Sequence, residues 1–207
     1  MGSSPCSLDP VVLPLITGET VLDVGCGWGR WGNLIQTNYW EAELSKPPLI
    51  DGVDAFEANV ELCLQRKCYR KVWHQVMPSP LSGKWDTVLA CEIIEHIEQE
   101  KVEDFINILE KAATKRIIFS TPNYPAYRDG SETIVGFNDF EAHLSYVSRD
   151  FFHRRGYKVV GAGLRKGIKF PGVIVEKLIS PWKPGFESVS RLFPILSDSI
   201  VAYKDIN

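Results

Sequence analysis

The sequence predicts an α/β fold: a parallel, doubly wound sheet with helices on both faces. Three observations carry the prediction. Short β-branched runs alternate with amphipathic stretches from about residue 20 to residue 120. The first run, Thr20-Val21-Leu22-Asp23-Val24, feeds a glycine-rich turn, Gly25-Cys26-Gly27-Trp28-Gly29, that opens a helix. An acid, Asp54, closes the second run. Strand–helix–strand alternation of this kind buries a parallel sheet on both faces, and such sheets bind ligands at the carboxyl ends of their strands.

The elements follow in order. Ser7 is placed to cap a helix over 8–16, with Pro10 tolerated in its first turn, so that 1–19 reads as an N-terminal helix. Thr20 to Val24 is the first strand and Arg30 to Thr37 the first helix of the alternation. Residues 39–48 read as an inserted loop. A strand over 49–53, a helix over 57–68 and a strand over 71–76 come next, and Pro78, Pro80 and Gly83 break the chain before a strand over 85–90. Val102, Phe105, Ile106 and Leu109 mark one face of a helix over 98–113, and a strand over 116–120 follows. Residues 122–145 read as a long polar loop, and loops of that length are usually functional. A helix over 148–155, strands over 157–163 and 199–204, and an aromatic, proline-bearing lid-like insertion over 166–196 complete the chain. With no repeats or linkers, 1–207 reads as a single domain.

Composition bounds the function. A net charge of −3 and a pI near 5.8 give no global attraction toward nucleic acid or an anionic membrane. Cys6, Cys26, Cys63, Cys68 and Cys91 include no CxxC pair and read as reduced thiols. No apolar run approaches the roughly 18 residues of a membrane span, and the N-terminus has no basic-then-apolar signal pattern. A cytoplasmic protein is the expectation.

Two frames compete for the glycines. Gly27-Trp28-Gly29-Arg30-Trp31-Gly32 satisfies the dinucleotide GxGxxG pattern, but the strand ends at Val24, so that frame starts two residues late and puts Trp28 where a pyrophosphate needs bare backbone. Asp23-Val24-Gly25-Cys26-Gly27-Trp28-Gly29 fits D-x-G-x-G-x-G instead. An acid at the strand end suits a ligand bearing an ammonium or sulfonium and repels diphosphate. Asp54, followed by Ala55, can accept ribose hydroxyls. In these motifs, over roughly Val21 to Val160, the chain resembles the class I S-adenosylmethionine-dependent methyltransferases. The resemblance implies a seven-stranded Rossmann-like sheet whose last strand is antiparallel, and S-adenosylmethionine as cofactor. Its site residues would be Asp23, Gly25, Cys26, Gly27, Gly29, Asp54, Ala55, Gln75, Val76, Cys91 and Glu92. Gln75 stands where family members carry an acid for the adenine amino group, with Val76 or Met77 against the purine face.

Trp85 to Ile97, reading WDTVLACEIIEHI, is similar to the F-D-x-V-x-x-x-E-x-x-E-H segment of many small-substrate and RNA methyltransferases. Glu92, Glu95 and His96 at i, i+3 and i+4 would share one face of a helical turn, and His143 lies on the loop after the fifth strand. Two carboxylates and two imidazoles form a mixed O/N set for a divalent metal: Glu92, Glu95, His96 and His143. A similar set occurs in metal-dependent RNA 2′-O-methyltransferases and in ubiquinone-pathway O-methyltransferases. Without metal, His96 or His143 would serve as general base or orient the acceptor. Tyr124, Tyr127, Arg128 and the aromatic segment 170–193 are the expected acceptor contacts. The resulting expectation is methyl transfer to a hydroxyl oxygen of a small molecule, with no membrane partner and the oligomeric state open. An RNA 2′-O-methyltransferase, a nicotinamide oxidoreductase and a non-catalytic S-adenosylmethionine-binding subunit are the alternatives.

Overall fold

In a computed structural model of the protein, residues 4–41, 46–164, 169–170, 173–174, 191 and 193–206 are described. Five parallel strands run through the first half: β1 (Thr20–Val24), β2 (Leu49–Asp54), β3 (Lys71–His74), β4 (Trp85–Cys91) and β5 (Ala113–Pro122). A hairpin of β6 (Ser131–Thr133) and β7 (Gly136–Asn138) follows, then β8 (Lys158–Leu164), a small antiparallel pair of β9 (Lys169–Phe170) and β10 (Val173–Ile174), and β11 (Ser197–Asp205). The main sheet has seven strands in the order β3-β2-β1-β4-β5-β11-β8. Only β11 runs antiparallel, inserted between β5 and β8. The order reverses at β1/β4, and the crevice at such a switch point is where open α/β sheets take ligands.

Alternation along the strands divides the core in two. Leu22, Val24, Val88, Ala90, Ile117 and Phe119 face α4 (Val102–Ala112) and α5 (Arg149–Arg154), against Phe105, Leu109 and Phe152. Val21, Ile50, Leu89, Ile118 and Val201 face the opposite side, against Trp31 and Ile35 of α2 (Arg30–Glu41) and Leu8 and Val12 of the N-terminal segment. Each of these fully buried large side chains contributes about 1.5–3 kcal/mol of transfer free energy. α3 (Glu57–Arg66) packs on β2 and β3 and ends at Lys67 in the left-handed conformation.

Several expectations need correction. The N-terminal helix is broken into a 3₁₀ turn over Cys6–Leu8, a short α1 (Asp9–Val12) and a 3₁₀ turn over Leu13–Leu15. Ser7 lies inside the first turn, so it caps nothing, and Pro14 removes the amide an uninterrupted helix would need there. α2 runs four residues further than predicted, into the expected loop. The helix predicted over 98–113 starts as a 3₁₀ turn over Gln99–Lys101, and Ala113 already belongs to β5. The long polar loop contains the β6–β7 hairpin and a 3₁₀ turn over Asp139–Glu141. The lid-like insertion lies outside the described residues, except for β9, β10, Arg191 and 193–196, where Phe193 is exposed. Among the described residues no helix is long and apolar enough to cross a membrane.

Candidate active site

A cleft of about 620 Å³ opens along the carboxyl ends of β1, β2, β4 and β5, within the usual range for ligand sites. One end is made by the glycine turn. Gly25, Gly27 and Gly29 all have positive φ (69°, 52° and 89°), where a Cβ is strained. A Cβ on Gly25 would sit 1.9 Å from Ile93 Cδ1, so the turn also sets how closely the segment after β4 can approach. The Gly25 and Cys26 amides donate to the Val53 carbonyl at 2.8 and 3.1 Å, and the Gly27 amide donates to Asp54 Oδ2 at 2.8 Å. Asp54 Oδ1 accepts from the Phe56 amide (2.9 Å) and from Asn59 Nδ2 (3.2 Å). Asp54 therefore ties the turn of β1 to the start of α3 while lining the cleft, and burial raises its pKa above the usual carboxylate value.

Cys26, Ala55, Gln75, Val76, Cys91 and Glu92 line the same cleft. The Gln75 carbonyl accepts from Trp73 Nε1 at 3.0 Å and its amide nitrogen bonds the Ser79 and Pro80 carbonyls, so this side chain shapes the loop after β3. Val76 and Met77 offer apolar surface beside it. Asp23 departs from expectation. It is buried beneath the turn, not in the cleft wall, with Oδ2 accepting from Tyr69 Oη at 2.6 Å and Oδ1 without a partner among the described residues. Burial pushes its carboxyl up to about 7. An acid at a strand end points alternately to one face or the other, and here the β1 register directs it toward α2.

The other end gathers Glu95, His96 and His143. One ligand atom of each lies within 4.8 Å of the others. His96 closes a 3₁₀ turn (Ile94–His96) and its Nδ1–H donates to the Ala142 carbonyl at 2.9 Å; in the neutral ring this leaves Nε2 with the lone pair. The His143 ring meets His96 edge-on, centroids 4.8 Å apart, and the His143 amide donates to the Arg128 carbonyl at 2.9 Å. Desolvation lowers both imidazoles to about 4, and the nearby Arg128 charge acts in the same direction. The Glu95 carbonyl accepts from the Leu144 and Ser145 amides, fixing the 142–145 strand of chain over the turn. Its carboxyl is buried, with Oε2 unpartnered among the described residues, and burial holds it well above the usual range.

Glu92 does not join this group. It takes φ 56°, its amide donates to Ser120 Oγ (3.0 Å), and its Oε1 accepts from the same hydroxyl (2.8 Å). No continuous helix spans Glu92 to His96, so the i, i+3, i+4 face does not form and the expected four-ligand set reduces to three. Burial raises the Glu92 carboxyl to about 7. Tyr124 and Arg128 line the cleft as expected, but Tyr127 is exposed outside it. Trp28, Arg30, Asn59, Phe140 and Glu141 line it too, and sequence reasoning missed them. Arg30 and Asn59 fall in the first turns of the helices after β1 and β2, which is a positional signal. Phe140 and Glu141 reach the cleft only through the hairpin's folding, which leaves no linear pattern.

The chain matches the model of a methyltransferase domain over residues 7–161. An uncharacterised protein of Methanocaldococcus jannaschii is 25% identical over 182 residues, covering 84% of this chain and 72% of its own. Among solved structures, magnesium protoporphyrin IX methyltransferase from Synechocystis PCC 6803 with bound S-adenosylmethionine is similar, with a TM-score of 0.57 and 17% identity over 96% of this chain and 78% of that one. Coclaurine N-methyltransferase is similar at a TM-score of 0.53 and 17% identity, over 95% and 72%. The reversed β11, the glycine turn of β1, the acid closing β2 and the family match agree: the chain belongs to the methyltransferase-domain family, with the class I fold of S-adenosylmethionine-dependent enzymes.

Proposed function

We propose that this protein transfers a methyl group from S-adenosylmethionine to a hydroxyl oxygen of a small molecule. One observation supports the reading most: two neutral, touching imidazoles stand in the same cleft as the glycine turn. The donor fits the other end. The glycines leave bare backbone, Asp54 is an anionic acceptor suited to ribose hydroxyls, and Asn59 Oδ1 is a buried acceptor with no partner among the described residues. When bound, S-adenosylmethionine supplies an electrophilic methyl on a sulfonium, so no further activation of the carbon is required.

The chain's residues then have limited tasks. Val76 and Met77 pack an apolar face, while Phe140 and Tyr124 exclude water from the acceptor end. His96, oriented through Nδ1 by the Ala142 carbonyl, takes the hydroxyl proton at Nε2, and His143 holds the ring edge-on. The lowered pKa leaves Nε2 unprotonated at neutral pH, though a weaker base than an ordinary histidine. Much of the acceleration comes from aligning acceptor and donor.

A second reading rests on Glu95 Oε2. A buried carboxylate oxygen with no partner among the described residues, near two neutral imidazoles, suits a divalent cation that prefers N/O ligands. Glu95, His96 and His143 would hold it, and it would lower the pKa of a bound hydroxyl. Methyl-labelled S-adenosylmethionine, offered with a panel of catechols, hydroxy acids, amines and short RNAs with and without chelator, tests both readings. Label on hydroxy compounds supports the assignment, and its loss on chelation favours the metal. Label confined to amines overturns the hydroxyl assignment; label confined to RNA 2′-hydroxyls overturns the small-molecule one.

A further inference from the structure

The ribbon of chain between β5 and α5 turns polar side chains into the cleft and apolar ones outward. Arg128, Asn138 and His143 line the cleft, whereas a chain neighbour of each, Tyr127, Phe137 and Leu144, is exposed by 66%, 53% and 47%. The β6–β7 ladder pairs Phe137 with Glu132, and the bridge between Arg128 and His143 sets the chain at Tyr127 beside that at Leu144. Ile134, in the turn of the hairpin, is exposed as well. Antiparallel ribbons with one solvated face ordinarily show the reverse, apolar inward and polar outward. Half of the large apolar side chains exposed among the described residues lie between Tyr127 and Leu144, so they form a patch and not a scatter. The charge around the patch has one sign. Asp129, Glu132 and Asp139 are exposed, and Arg128, the single Lys or Arg of residues 124–146, is paired with Glu141.

We propose that the outer face of this ribbon docks a protein partner whose contact surface is apolar at its centre and basic at its edge. Charge decides between the occupants. A second copy of the same face would set carboxylates against carboxylates, and an anionic bilayer would repel them. A surface flanked by lysine or arginine satisfies both the apolar patch and its acidic rim. Tyr127 and Phe137 are the aromatic anchors, a residue type concentrated at the centres of interfaces. The same ribbon also holds the acceptor end together. The Ala142 carbonyl orients His96 through Nδ1, and the Leu144 and Ser145 amides fix the Glu95 carbonyl. A partner on the outer face therefore bears on the elements that place the two imidazoles, and leaves the glycine turn untouched.

Two synthetic amphipathic peptides with the same leucines, one with lysine and one with glutamate at its polar positions, test the proposal by calorimetry on the intact protein. The lysine peptide should bind at least about tenfold more tightly than the glutamate peptide. Tyr127→Ser combined with Phe137→Ser leaves the charge unaltered and should weaken the lysine peptide by about 10–100-fold, with S-adenosylhomocysteine affinity within about twofold. Leu64→Ser, at an exposed apolar position on α3, should leave the peptide's affinity unchanged. Equal affinity for the two peptides, or full affinity in the serine variant, overturns the proposal. Should that variant fail to fold, Glu132→Lys decides: it should weaken the lysine peptide and strengthen the glutamate peptide, and no change overturns the proposal. Sedimentation and vesicle binding cover the other occupants. A dimer of the unaltered protein that Phe137→Ser dissociates, or binding to phosphatidylserine vesicles that Phe137→Ser abolishes, likewise overturns it.

Discussion

The two ends of the cleft are built by different means. At the donor end, backbone fixes the geometry: three positive-φ glycines, amides of the turn on Val53 and Asp54, and two helices starting directly after their strands. At the acceptor end, side chains and long-range closure fix it: the Ala142 carbonyl orients His96 from 46 residues away, and the 144–145 amides clamp Glu95. Desolvation disfavours charge at both ends. Burial raises the Asp23 carboxyl to about 7 beneath the donor turn and lowers the His96 and His143 imidazoles to about 4. A site defined by backbone tolerates little change in shape. One defined by side chains can change its chemistry without changing its fold.

The largest effect should come from Gly25→Ala. The substitution forces a Cβ into a positive-φ position and against Ile93, so stability should fall by about 2–4 kcal/mol and S-adenosylhomocysteine affinity by more than about 100-fold. Retained affinity by calorimetry would break the comparison from the donor side. His96→Ala is next: methyl transfer should drop by about 10²–10⁴-fold, with S-adenosylhomocysteine affinity within about twofold. Equal loss in both would mean that the two ends are not separable.

A subtler test uses pH. Asp23 has a folded pKa above its unfolded value of 3.8, so its contribution to stability is present below pH 3.8 and is lost as pH rises through about 7. The imidazoles have the reverse sign: their contribution is present above 6.5 and is lost as pH falls toward 4. Asp23→Asn removes only the first. Its Tm relative to the unaltered protein should therefore climb between pH 4 and pH 8, and a flat difference would show that burial does not act on Asp23 as described. The smallest effect serves as a control. Ser148→Ala removes the cap whose hydroxyl accepts from the Phe151 amide at the start of α5, costing about 1 kcal/mol by chemical denaturation while leaving both ends of the cleft unchanged.

The difference between the ends also explains what could be read from the sequence. Strand–turn–helix chemistry is local, so Thr20–Val24, Gly25 to Gly29 and Asp54 announce themselves within a few residues. Ser148 and Gly156 likewise bracket α5 as their residue types predict. Asp23 was legible as an acid at a strand end, but its direction depends on pleat register and on Tyr69, 46 residues away. Glu92 leaves the helical spacing because it follows β4 in a positive-φ conformation clamped by Ser120 of β5. The N-terminal segment, cut by Pro14, reaches the cleft through Ser4, Pro5 and the Asp9–Arg30 pair, contacts that no periodicity encodes.

The central claim is that one cleft holds a donor end organised by Asp54 and a separate acceptor end organised by the histidine pair. Titrating S-adenosylhomocysteine calorimetrically into the unaltered protein, Asp54→Ala and His143→Ala tests it most directly. Asp54→Ala should lose about 100-fold, since two backbone amides lose their acceptor along with the ribose contact, and His143→Ala should change by no more than about twofold. Unchanged affinity in Asp54→Ala, or an equal loss in His143→Ala, would contradict it.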